Sequence, residues 1–164
     1  MYGNQNDKYY FRGCKEVRME SNGRLAKLEF LISQSKGLDS DRLQALVFIA
    51  QALGESFDYA FDVHHLRVFS RALEADIDFL STQTISDKSD NSEISRFITK
   101  ATQSVTLEQT EAAAAFFYFE QKGYSSTEIE KSLNADESVL RGAKDLITAL
   151  KKCGAKQLAA TGAN

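Results

Sequence analysis

The stretch GYSSTEIEKSLNADESVL, residues 123–140, decides how this chain is read. Gly123 stops the helix before it. Ser125, followed three residues later by Glu128, has the spacing of a capping box. In that motif the serine oxygen accepts the Glu128 amide proton and the glutamate reaches back to the cap. Tyr124 and Ile129 occupy the N′ and N4 positions of a hydrophobic staple. Leu133-Asn134 ends the helix, because asparagine tolerates the left-handed conformation a C-terminal stop requires. Asp136 is placed to cap a following helix. The inner face of that helix reads Val139, Leu140, Ala143, Ile147 and Leu150. Two helices, about 126–133 and 137–152, therefore meet at a tight turn. Gly142 in mid-helix costs about 1 kcal/mol relative to alanine, which signals a close approach.

Working outward, the chain of 164 residues contains no proline. Average sequences carry about 5%, and helix interiors exclude it, so its absence favours helices with short connections. Apolar spacing predicts helices over 19–34, 41–53, 58–80, 93–102 and 107–121. The third carries Phe61, His65, Phe69, Leu73, Ile77 and Leu80 on one side. Gly37 is a C-cap candidate and Asp39 or Ser40 an N-cap candidate. AAAAFFYFE, residues 112–120, reads as a central core helix. No run of strict period-two alternation stands out, so the expected fold class is all-α. Residues 1–80 form a multi-helix interaction or oligomerisation region. Residues 81–93, rich in Ser, Thr, Asp and Asn, form a linker. Residues 94–153 form a helical unit and 154–164 a flexible tail.

The unit at about 106–152 resembles the helix-turn-helix of bacterial transcription regulators and sigma factors. The residues that carry the resemblance are Gly123, Ser125, Glu128, Ile129, Leu133, Asn134, Asp136 and Leu140. It implies a C-terminal helix-turn-helix whose second helix reads double-stranded DNA. Arg141 would contact a base edge. Ser138 would meet base or phosphate, and Lys144, Lys151 and Lys152 would position the backbone. Where the family has a small residue after the isoleucine, this chain has Glu130.

Charge is uneven. The net charge is −3 overall, but residues 1–38 sum to +3, 39–95 to −7 and 96–164 to +1. Only the two ends could supply a phosphate-facing surface. Residues 8–18, KYYFRGCKEVR, interleave aromatics with cations and suit either nucleic-acid stacking or an arm packed on the core. Asp62-x-x-His65, with Glu55 and Asp58, has a metal-carboxylate spacing but no matching set elsewhere, so no metal or other cofactor is expected. Cys14 and Cys153 stand alone. No phosphate loop or catalytic motif is present, so no enzymatic activity is expected. No signal-like or membrane-length apolar run occurs, which implies a cytoplasmic protein.

The leading expectation is a transcriptional regulator or related DNA-binding protein that contacts DNA through its C-terminal helix-turn-helix, with the N-terminal helices mediating self-association or binding a protein partner. The alternative is a non-enzymatic protein-interaction adaptor with a degenerate helix-turn-helix that contacts transcription machinery or another protein. The acidic middle and the weakly basic second helix favour that alternative.

Overall fold

The computed structural model describes residues 23–35, 39–83 and 93–161. The arm at 8–18, Cys14, Gly37 and most of the linker at 81–93 lie outside the described residues. Among the described residues the fold is all-α apart from one small hairpin. Helix α1 spans residues 23–34 and α2 spans Ser40–Ala52. Strands β1, Asp62–His64, and β2, Arg67–Phe69, form an antiparallel hairpin. Helices α3, Arg71–Ser81, α4, Glu93–Thr102, and α5, Leu107–Gln121, follow. Helices α6, Ser126–Leu133, and α7, Glu137–Thr161, close the chain. No described helix is long and apolar enough to cross a membrane.

The core is organised by α2 and α5, which lie against each other. Residues Leu43 to Ala50 of α2 and Thr110 to Phe117 of α5 are buried on every side. A helix buried all round belongs at the centre of a fold. The alanines 112–115 let α2, α6, α7 and the hairpin crowd onto α5. One buried cluster joins Leu28 and Leu31 of α1, Leu46 of α2, Leu73 of α3, Ile98 of α4 and Leu150 of α7. Arg42 of α2 closes the end of α4, its Nη2 donating to the carbonyls of Thr102 at 3.0 Å and Val105 at 2.6 Å. A cation at a helix C-terminus satisfies orphan carbonyls and complements the dipole.

The single helix expected over 58–80 does not form. Phe57, Tyr59, Phe61 and Val63 point inward, while Asp58, Ala60, Asp62 and His64 are exposed. That is the period of an extended chain, and it is present in the sequence as FDYAFDVH. Asp58, at φ 58°, adopts the left-handed conformation and breaks any helix there. Two glutamines on one face of α2 hold the extended segment. Gln51 Nε2 donates to the Tyr59 carbonyl at 2.9 Å and its Oε1 accepts from the Tyr59 amide at 3.0 Å. Seven residues earlier, Gln44 repeats the arrangement on Ser70 at 3.1 and 2.9 Å. Each side-chain amide replaces the strand partner that the backbone would otherwise lack. Helix α3 then starts only at Arg71, capped by Ser70.

A second difference lies at the C-terminus. Helix α7 continues to Thr161 rather than ending near 152. The run AKQLAA supplies strong helix formers. Gly154 permits close packing, since a Cβ there would stand 3.3 Å from Leu53 Cδ2.

Candidate functional site

The turn between α6 and α7 is built as its residues dictate. Ser125 Oγ accepts from the Glu128 amide at 3.4 Å, and Glu128 Oε2 accepts from the Ser125 amide at 2.8 Å, completing the capping box. The Ser125 amide, and the Ser125 hydroxyl donating to the same oxygen at 2.7 Å, hold the Glu128 carboxyl below its ordinary value. Asn134 ends α6 at φ 43°. Ile129 is buried, but Tyr124 is 52% exposed and its ring meets Phe119 edge-on at 5.6 Å. The buried face of α7 is Ala143, Leu146 and Leu150, with Val139, Leu140 and Ile147 at its margins. Gly142 sits where α7 meets the start of α5. A Cβ at that position would overlap the Gln109 side chain. Gln109 accepts from the Thr106 amide at 3.1 Å and donates to the Ser138 carbonyl at 3.3 Å.

Arg141, Lys144, Lys151 and Lys152 are all exposed. Their spacing of 3, 7 and 1 places them on one outward face of α7, over about 17 Å at 1.5 Å per residue. Ser138 is exposed at the margin of this line. Three of the four cations are met by carboxylates. Arg141 Nη2 lies 3.1 Å from Glu137 Oε1, and Lys144 Nζ lies 2.7 Å from Glu130 Oε1. Lys151 Nζ donates to both Glu120 oxygens at 2.8 Å. Lys152 makes no ion pair that involves another described residue. Glu130 of α6 thus reaches across to α7. Exposed pairs of this kind add little stability, but they cancel the positive field that draws phosphate.

A second constellation was not singled out from sequence. The hairpin loop consists of His65 at φ 51° and Leu66 at φ 65°. Positive φ at both positions is the signature of a type I′ turn, which asparagine and glycine normally supply. A leucine in that conformation is rare, and strain of this kind costs about 1–3 kcal/mol. The tip faces a cleft that also borders Ala112, Leu133 and Val139. On the hairpin's other side is a cavity of about 380 Å³ between β2, α2 and α5. Arg67 spans both spaces. Its Nη1 lies 3.3 Å from Asp41 Oδ2 and its Nε 3.2 Å from Glu111 Oε1. Glu111 is only 9% exposed, and its Oε1 has no hydrogen bond despite that ion pair. Burial pushes the Glu111 carboxyl up; Arg67 opposes the shift, while Asp41, Asp39 and Glu108 add to it. His65 lies here, exposed at the loop, rather than on a helical face with Glu55, Asp58 and Asp62.

Comparison with protein-family models, curated proteins and solved structures finds no significant match to this chain.

Proposed function

We propose that this chain is a non-enzymatic protein-interaction adaptor whose α5–α7 unit uses helix-turn-helix geometry to grip another protein. The observation that carries this reading is the pairing of Arg141, Lys144 and Lys151 with Glu137, Glu130 and Glu120. A DNA-reading helix presents unpaired cations to phosphate and base edges. This one presents alternating charge, with Asp136 and Glu137 at its start. The exposed Tyr124 ring, seated beside Phe119, adds the aromatic surface that protein interfaces favour. Self-association through residues 1–80 belongs to the same proposal, and sedimentation equilibrium reads it directly.

A second reading, transcriptional regulation through DNA, is favoured by one specific feature: the alignment of Arg141, Lys144, Lys151 and Lys152 on one face. Fluorescence anisotropy with random duplex DNA across a salt series separates the two. The adaptor reading expects no salt-dependent binding at low ionic strength. The regulator reading expects log K to fall with log salt at a slope of about −0.9 per phosphate neutralised. It also expects Arg141→Ala to cost about 1–3 kcal/mol on a preferred site. Binding that follows this pattern replaces the adaptor reading.

A further inference from the structure

We propose that the segment 8–18 of this same chain docks in the groove between the hairpin tip and the α6–α7 turn, its cations meeting Glu108 and Asp136 and its aromatic rings covering the apolar floor. The proposal stands apart from the adaptor reading, because none of the four α7 cations lines this groove. The groove measures about 350 Å³. Leu66, Leu133 and Val139 line it and are only half-buried, so each keeps apolar area that a docked side chain can remove from water. Three carboxylates, Glu108, Glu111 and Asp136, line it beside one arginine, Arg67, and one histidine, His65. Arg67 is already drawn to Glu111 at 3.2 Å. Glu108 and Asp136 are exposed, and neither forms an ion pair with another described residue. The groove therefore offers two reachable, uncompensated negative charges around an apolar floor.

The complement to this surface lies in the same sequence. Residues 8–18, outside the described residues, read KYYFRGCKEVR. They carry four cations and one carboxylate, with Tyr9, Tyr10 and Phe11 in a row. Reach is sufficient. Arg24, the second residue of α1, lies 4.6 Å from the Tyr59 ring centre. From Tyr59 the extended segment leads to Leu66 at the hairpin tip, at most about 24 Å further on. The chain from Lys8 to Gly23 spans up to about 50 Å when extended. Exposed ion pairs are individually weak, but a tether of this length holds the segment near the groove at an effective concentration of about millimolar. A few weak pairs and an aromatic contact are then enough to seat it.

Cys14 lies within the segment and gives the test its probe. The full chain carrying Cys153→Ser is labelled at Cys14 with a nitroxide, and amide peak intensities are compared before and after the label is reduced. Amides at 65–67, 108–112 and 133–139 are expected to lose most of their intensity while the label is paramagnetic, and those at 155–161 to keep theirs. Glu108→Gln combined with Asp136→Asn is expected to restore the lost intensities, while Glu120→Gln leaves the loss unchanged. Arg12→Glu combined with Lys15→Glu, which changes only the segment, is the second variant should the first pair not fold, and it too should restore them. Salt at about 1 M, where the screening length falls to about 3 Å, is expected to act in the same direction. Loss centred elsewhere, uniform loss, no loss, or variants that match the parent would overturn the proposal. Equal loss in isotope-labelled chains that carry no nitroxide, mixed with nitroxide-bearing chains, would put a second copy's segment in the groove and overturn it too.

Discussion

Glu111 shows how one residue couples position to pH. Its carboxyl is raised above the ordinary value of 4.5, chiefly by burial. Between that ordinary value and the raised one, the folded state keeps a proton that the unfolded state has lost. Stability therefore falls as pH rises through this window. Glu111→Gln, which removes the ionisation, is expected to be more stable than the parent at neutral pH. The difference should vanish as pH falls below the ordinary carboxylate value. Thermal melts of both proteins at several pH values check this, and a gap that widens on acidification would contradict it. Ser125 acts oppositely, through a partner whose carboxyl is lowered. Ser125→Ala is expected to cost about 0.5–2 kcal/mol in urea denaturation at neutral pH. That cost should shrink as pH falls through the lowered Glu128 value, where the carboxylate half of the box is lost.

At the scale of elements, the extended segment between α2 and α3 depends on side chains, because it has no neighbouring strand along most of its length. Gln44 satisfies both backbone groups of Ser70 and also donates to Glu74 Oε2 at 3.1 Å. Gln44→Leu keeps nearly the same volume but strands a buried amide and a buried carbonyl. The expected loss is about 1–3 kcal/mol for each orphaned group, measured by chemical denaturation. Hydrogen exchange should locate the loosened region at 57–70. Tyr59 reinforces the segment at its other end. Its hydroxyl donates to Asp76 Oδ2 at 2.7 Å, and Arg24 lies 2.9 Å from the same carboxylate and 4.6 Å from the ring centre. Burial, more than the neighbouring Asp76, pushes the Tyr59 hydroxyl pKa far above its ordinary value, so it remains a donor.

Across the whole molecule, α5 is enclosed by α2, α6, α7 and the hairpin. Its buried face cannot be covered by α6 and α7 alone. A fragment comprising residues 94–161 is therefore expected to lose fixed tertiary structure, with collapsed amide dispersion in its NMR spectrum. The full chain should unfold in one transition by near-ultraviolet and far-ultraviolet dichroism alike. A well-dispersed fragment would show that α5 repacks without α2.

Local chemistry was legible in the chain itself. The box at Ser125 and Glu128, the stop at Asn134 and the extents of α4, α5 and α6 all follow from caps and periodicity, which act within a few residues. The Arg141–Glu137 pair, one helical turn apart, belongs to the same class. The alternation FDYAFDVH was equally local, but it competed with a helical stripe drawn through Phe61, His65 and Phe69. The decision between them came from Gln44 and Gln51, whose partners lie 26 and 8 residues away. Lys144–Glu130 and Lys151–Glu120, which change the character of the α7 face, join residues on different helices. The cavity at Glu111 exists only where β2, α2 and α5 converge. Sequence determined where α4, α5 and α6 start and stop, because capping and propensity are short-range. Tertiary structure alone decided which charges on different helices cancel and which carboxylate is buried, because field and desolvation depend on neighbours brought together by the fold.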